Sequence, residues 1–253
     1  MLMANLILDD ICVRFGGLQA LTDVSFSIGE GEVIGLIGPN GAGKTTVFNV
    51  ITGVYKASSG SVSYDGTTIT GLRPYQVLSM GVARTFQNIR LFQNMTALEN
   101  CMVAQHSRSK TGVLGAILRS PSQKREEERI IEKSQKALEF MGLGDITDEV
   151  ASNLPYGHQR RLEIARALAS EPQTILLDEP AAGLNPAESK DLMDSIGHIT
   201  DLGINVLMVE HDMKVVMGIC TRIVVLDHGV MIAEGLPEEI QRNPEVIEAY
   251  LGQ

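Results

Sequence analysis

The chain has 253 residues, enough for one large domain or for a core with an embedded subdomain. With 44% hydrophobic and 21% charged residues and no tryptophan, its composition is that of an ordinary globular protein. A net charge of -10 and a pI near 5.0 argue against a nucleic-acid-binding surface, which ordinarily shows as a basic patch.

Leu6 to Phe15 and Asp23 to Ile28 alternate apolar and polar side chains around Gly16-Gly17, which predicts antiparallel strands with one solvated face. Asp9 and Asp10 interrupt the first apolar stretch, so it does not read as a signal sequence. Glu32 to Ile37 reads as a buried strand, and after it comes Gly38-Pro39-Asn40-Gly41-Ala42-Gly43-Lys44-Thr45-Thr46. This run fits Gly-x4-Gly-Lys-[Ser/Thr], and Val47 to Ile51 continues it as a helix closed by Gly53. Strand, glycine loop and helix in that order form a phosphate-binding loop. Glycines let backbone N–H groups turn inward around a polyphosphate, and the helix N-terminus adds positive partial charge. Lys44 then reaches the β- and γ-phosphates, and the Thr45 hydroxyl is a ligand for Mg²⁺.

A second strand pair follows, Ser61 to Tyr64 and Thr67 to Ile69, joined by the turn Asp65-Gly66. From about Thr96 to Ala169 the pattern is mostly helical, with a connector at Gly112 to Pro121. The charge run Gln123 to Arg129 reads as a solvated helix face with Lys124–Glu128 pairing. Later strands, Thr174 to Leu177, Asn205 to Val209 and Arg222 to Leu226, are continuous apolar runs of the kind found in parallel sheets buried on both faces. The first of these ends in Asp178-Glu179-Pro180, where ligands bind beyond the carboxyl ends of parallel strands. Asp178 is placed to bind Mg²⁺ directly or through water, and Glu179 to polarise an attacking water as general base. Cys12, Cys101 and Cys220 are too sparse for a disulfide framework, so apolar packing roles in a reducing compartment are expected. No segment approaches the roughly 18 to 20 apolar residues that span a bilayer, so any membrane work is expected to fall to partners.

With these motifs in this order, nearly the whole chain resembles the nucleotide-binding subunit of an ABC transporter. The resemblance implies a P-loop NTPase core of α/β class. Its sheet is mainly parallel, with an N-terminal antiparallel β layer and an inserted helical subdomain. It also implies one ABC ATPase domain over 1–253, with the core in 1–95 and 170–253 and the helical part in 96–169. Phe15 falls where the family stacks an aromatic on adenine, the alternative being a core residue. Gln87, in Thr85-Phe86-Gln87-Asn88, matches a glutamine that touches the metal or its water, and His211 a switch histidine on the γ-phosphate. A surface glutamine and a helix-capping histidine are the plainer alternatives. Ala181 to Asn185 matches a loop that crosses a dimer interface, with Asn185 in place of the usual aspartate.

Leu154 to Gln159 corresponds to the signature Leu-Ser-Gly-Gly-Gln, with Pro155 for the serine, His158 for the glutamine and Gly157 retained. In the family this segment covers the γ-phosphate bound by the opposite subunit, so Gly157 is implied to act in trans. Gly16-Gly17-Leu18, Leu184-Asn185-Pro186, Glu210 to Met217, Tyr250-Leu251-Gly252 and the region at about 106 to 130 resemble the branched-chain amino-acid importer subfamily. That resemblance implies an ATPase using ATP and Mg²⁺, peripheral on the inner face of the cell membrane. Its implied partners are two permeases, a second cassette (identical or paralogous) and indirectly a periplasmic binding protein, with no nucleic acid. A urea or lipopolysaccharide transporter uses the same motifs. A soluble repair or translation ATPase of this class would ordinarily carry tandem cassettes or basic extensions.

Overall fold

The computed structural model describes residues 5–105 and 121–251. The expected connector at Gly112, as far as residue 120, lies outside them, as does Gly252. In chain order, β1 (Leu6–Phe15), β2 (Leu18–Ile28), β3 (Val33–Ile37), α1 (Lys44–Ile51), β4 (Ser59–Tyr64), β5 (Thr67–Thr68), α2 (Pro74–Ser79) and β6 (Val82–Arg84) come first. Helices α3 (Ala97–Gln105), α4 (Pro121–Phe140) and α5 (Tyr156–Ala169) follow. The chain then runs through β7 (Thr174–Asp178), α6 (Pro186–Asp201), β8 (Asn205–Val209), α7 (Met213–Ile219), β9 (Arg222–Asp227), β10 (Val230–Gly235), α8 (Pro237–Arg242) and α9 (Pro244–Leu251). The residues form two compact units, one of 1–87 with 173–253 and one of 88–172.

In the first unit, β2-β1-β4-β5 form an antiparallel sheet and β10-β9-β3-β8-β7-β6 a second, six-stranded one. From β9 to β6 every neighbouring pair of the second sheet is parallel, and β10 is antiparallel to β9. All five residues of β3, of β7 and of β8 are buried, which is why those strands read as unbroken apolar runs.

The β1/β2 pair departs from simple alternation. Asp10 and Asp23 both adopt φ 48, and the strand register shifts between Leu8 and Ile11. Each extra residue resets the pleat, so Leu6 and Leu8, then Ile11 and Val13, all reach the buried face. The Asp10 amide donates to Ser25 Oγ (2.8 Å), and that hydroxyl donates back to Asp10 Oδ1 (3.0 Å). Strand β2 therefore begins at Leu18, five residues before the alternation from Asp23 suggests.

Between the sheets, Leu8, Ile11, Leu21 and Phe26 pack with Phe48 and Ile51 of α1 and with Leu36, Leu176, Leu207 and Leu226 of the central strands. Each such side chain contributes roughly 1.5–3 kcal/mol by leaving water. Helix α1 is thereby wedged by its apolar face, and the loop feeding it is held in place. Cys101 and Cys220 are buried, with their thiols pushed up to about 12 by burial. Cys12 differs from the packing role expected of it: it is half-buried and donates through Sγ to Asp23 Oδ1 (3.0 Å) at the bulge.

The second unit is helical. Glu163, 1% exposed, accepts from Arg160 (3.3 Å) and from the Arg90 amide (3.2 Å), while Asn100 clamps the turn at Phe92 and Thr96. Along α4, Lys124, Arg125 and Glu127 to Arg129 are exposed, and Lys136 pairs with Glu132 (2.6 Å).

Candidate nucleotide site

The phosphate loop joins the buried end of β3 to α1. Gly38 (φ 147) is required sterically, because a Cβ there would lie 2.0 Å from the Leu226 carbonyl oxygen. Gly43 (φ 102) is the N-cap of α1 and brings no capping side chain, so the first N–H groups of the helix face the loop without a side-chain acceptor. Lys44 is 7% exposed, and its Nζ donates to the carbonyl oxygens of Gly38 (2.6 Å) and Pro39 (2.8 Å). Burial holds its pKa below the ordinary lysine value, and the Glu179 charge opposes that shift.

Adjacent parallel strands deliver the rest. Glu179 follows β7 at φ 49, its amide bonded to the Val209 carbonyl (2.9 Å) at the end of β8. Its Oε1 accepts from Gln87 Nε2 (3.1 Å) and lies 2.9 Å from His211 Nε2. Gln87, Glu179 and His211 line one cavity of about 280 Å³ with Asn40 to Thr46 and Val209. Three of the polar residues singled out from sequence thus meet against the phosphate loop.

Asp178 is elsewhere in this arrangement. It is 4% exposed and lies outside that cavity lining. Its Oδ2 accepts from Arg84 (2.9 Å), and its amide donates to Thr85 Oγ1 (3.2 Å). Arg84 also donates to Asn49 Oδ1 (2.7 Å) and lies 5.3 Å from the ring centres of both Phe48 and Phe86.

Two residues escape a reading by motif. Arg84 is one; it pairs with an acid 94 positions away and leaves no local signal. The other is Glu210, 4% exposed, which accepts from the amides of Ala181 (2.7 Å) and His211 (3.1 Å). In sequence it is only the first residue of the run Glu210 to Met217, with no role of its own.

Among the described residues no three His, Cys, Asp or Glu side chains converge as a metal cage. Mg²⁺ in nucleotide sites is held by one or two protein oxygens, with phosphate and water supplying the rest. Thr45 and Gln87, lining the same cavity as Lys44, are such a sparse oxygen set. The residues present fit an ion that arrives with a polyphosphate.

Phe15 is 45% exposed and packs edge-on against Tyr55 with centroids 5.1 Å apart, so it is not the core residue that was its alternative. In the helical unit Pro155 sits at the N-cap of α5 in an extended conformation, one place before the first helical position its ring would suit. Its carbonyl accepts from the Gln159 amide (2.9 Å), and Gly157 is buried in the first turn. Asn185 caps α6, accepting from the amides of Ala187 (2.9 Å) and Glu188 (3.0 Å), with Glu188 returning a bond to the Asn185 amide.

A family model described as ABC transporter matches residues 21–182. Another, described as branched-chain amino acid ATP-binding cassette transporter, matches residues 230–253. The chain is 47% identical over 249 residues to the high-affinity branched-chain amino acid transport ATP-binding protein LivG of Salmonella typhimurium, covering 98% of each. It superposes with a TM-score of 0.86 at 35% identity on a nucleotide-free ATP-binding cassette from an ABC transporter, covering 99% of this chain and 100% of that one. A dimeric post-hydrolysis cassette bound to ADP and Pi is similar at a TM-score of 0.76 and 26% identity, covering 92% of this chain and 98% of that one.

Proposed function

Because the chain belongs to the ABC transporter family of ATP-binding cassettes, we propose that it is the ATP-hydrolysing subunit of an importer of branched-chain amino acids. The observation that carries the reading is the meeting of Gln87, Glu179 and His211 on the cavity of the phosphate loop.

The mechanism is positioning plus electrostatics. The loop amides of Gly38 to Thr46 and the start of α1 cradle phosphate oxygens, and Lys44 exchanges its two carbonyl acceptors for them. Mg²⁺, bound with the triphosphate, would neutralise charge developing on it. Thr45 and Gln87 would hold the ion, while Asp178, paired with Arg84 outside the cavity lining, would act on it only through water. The Glu179 carboxylate takes the proton of the attacking water as general base. Gln87 and His211 fix that carboxylate from two sides and report on the γ-phosphate. Phe15, paired with Tyr55, offers an exposed aromatic face for adenine.

Gly157 serves the site of a second cassette, as its place in the first turn of α5 allows, and the dimeric relative supports a two-cassette assembly. No helix among the described residues is long and apolar enough to cross a membrane. Two permease subunits and, through them, a periplasmic binding protein complete the transporter, with this chain peripheral on the inner membrane face.

Glu179→Gln tests the reading. Turnover should fall by about 100-fold or more while ATP holds the cassettes as a stable dimer in light scattering. Undiminished phosphate release would remove the general base. Reconstituted with its permeases, the intact chain should drive ATP-dependent uptake of leucine, isoleucine or valine.

A further inference from the structure

We infer that Glu210 is a positioning residue that ties the loop after Glu179 to the loop carrying His211, so that the two move as one. The inference rests on the site reading above. Glu210 follows β8 directly, as Glu179 follows β7, and the two strands are parallel neighbours. One carboxylate oxygen accepts from the Ala181 amide at 2.7 Å, and the other accepts from the His211 amide at 3.1 Å. Their donors therefore lie on different loops, two residues beyond Glu179 in one case and on His211 itself in the other.

The side chain is buried, and among the described residues no lysine, arginine or histidine pairs with it. A carboxylate taken out of water without a cation is costly unless N–H donors hold it. Burial raises its pKa, while the amides of Ala181, His211 and Asp212 favour the charged form. Simple packing at this place would be met by an apolar residue. The Ala181 bond reaches across to the loop after Glu179, and the His211 bond fixes the carboxylate on its own loop.

What is held is the contact of the chemistry itself, Glu179 Oε1 to His211 Nε2 at 2.9 Å. The Ala181 end belongs to the segment Ala181 to Asn185, which leads into the cap of α6. A shift of that segment is thus transmitted by one side chain to the backbone of His211.

Glu210→Gln in the full-length chain, assayed in the assembled transporter, tests this. The amide side chain keeps one acceptor and turns an NH₂ toward the other backbone N–H. We expect kcat to fall about tenfold, the scale of one lost charge-assisted bond, with the KM for ATP unchanged. Added to His211→Ala, it should cause no further loss. Unchanged kcat, a change in KM alone, or losses that multiply would overturn the inference. If His211→Ala alone leaves turnover intact, the site reading fails and this inference with it; if His211→Ala abolishes turnover and Glu210→Gln is inert, only the inference fails. Should Glu210→Gln not fold, amide exchange in the unaltered chain decides. Ala181 and His211 should become protected together on nucleotide binding, and independent protection would refute the tie.

Discussion

Arg84 and Asp178 form an ion pair at 2.9 Å in which the two side chains are only 8% and 5% exposed. The guanidinium is further held by Asn49 on α1 and stands against the rings of Phe48 and Phe86. It therefore ties the edge strand β6, the phosphate-loop helix and the acid at the end of β7 into one buried cluster.

Arg84→Met should strand the Asp178 charge, because an uncompensated buried ion costs far more than an intact pair contributes. A loss of about 3–5 kcal/mol is expected. Arg84→Lys keeps the charge but loses the planar fork and its stacking, and should fall between. Urea unfolding at neutral pH measures both. An unchanged midpoint for Arg84→Met would show the pair to be dispensable.

Nucleotide affinity should depend on alkaline pH through Lys44. Burial depresses the pKa of its ammonium below 10.5, whereas phosphate favours the protonated form. Affinity is then full below the depressed value and falls as pH rises through it toward the higher value of the bound state. The thiols of Cys101 and Cys220, at about 12, do not titrate in that window. Equilibrium ATP binding from pH 7.5 upward should weaken before an ordinary lysine would lose its proton, and Lys44→Arg should carry the loss to higher pH. A flat profile beyond the ordinary lysine value would refute this.

Much of the core was legible because the physics involved is local. The phosphate loop needs glycine where φ is positive and the backbone is crowded, as at Gly38, and buried parallel strands must be apolar on both faces. Asp65-Gly66 turns with φ 46 and 73, as the pair suggests. What was not legible depends on distant partners. The start of β2 was hidden by bulges at Asp10 and Asp23 that reset the alternation. Strand β10 escaped because its residues are mostly half-buried, with no clean period. Arg84 and Glu210 gain their meaning only when strands far apart in sequence are paired, so no spacing rule points to them.

Asn185→Asp should leave stability nearly unchanged or raise it by a few tenths of a kcal/mol. An aspartate caps as well as asparagine and its charge suits the helix N-terminus. Asn185→Ala removes the acceptor for the Ala187 and Glu188 amides and should cost about 1 kcal/mol. Denaturant midpoints separate the two. Equal losses for both would mean that the cap is not what this side chain provides.

The altered signature segment separates a local effect from an effect in trans. Pro155 offers α5 only its carbonyl, and Gln159 closes the turn by donating through Nε2 to the Leu154 carbonyl (2.8 Å). Pro155→Ser would add a hydroxyl acceptor for the first-turn amides, which should stabilise the helical unit by about 1 kcal/mol. Combined with His158→Gln, it also restores polar groups at a helix N-terminus, where they can bond a phosphate held by another cassette. Turnover of the assembled transporter should then rise, on the order of tenfold. The rate measured on dilute monomeric chain should stay as it was. A rise in the monomer would place the segment at its own nucleotide. No change in the assembled complex would make Pro155 and His158 neutral to catalysis, leaving the cap as the only thing they alter.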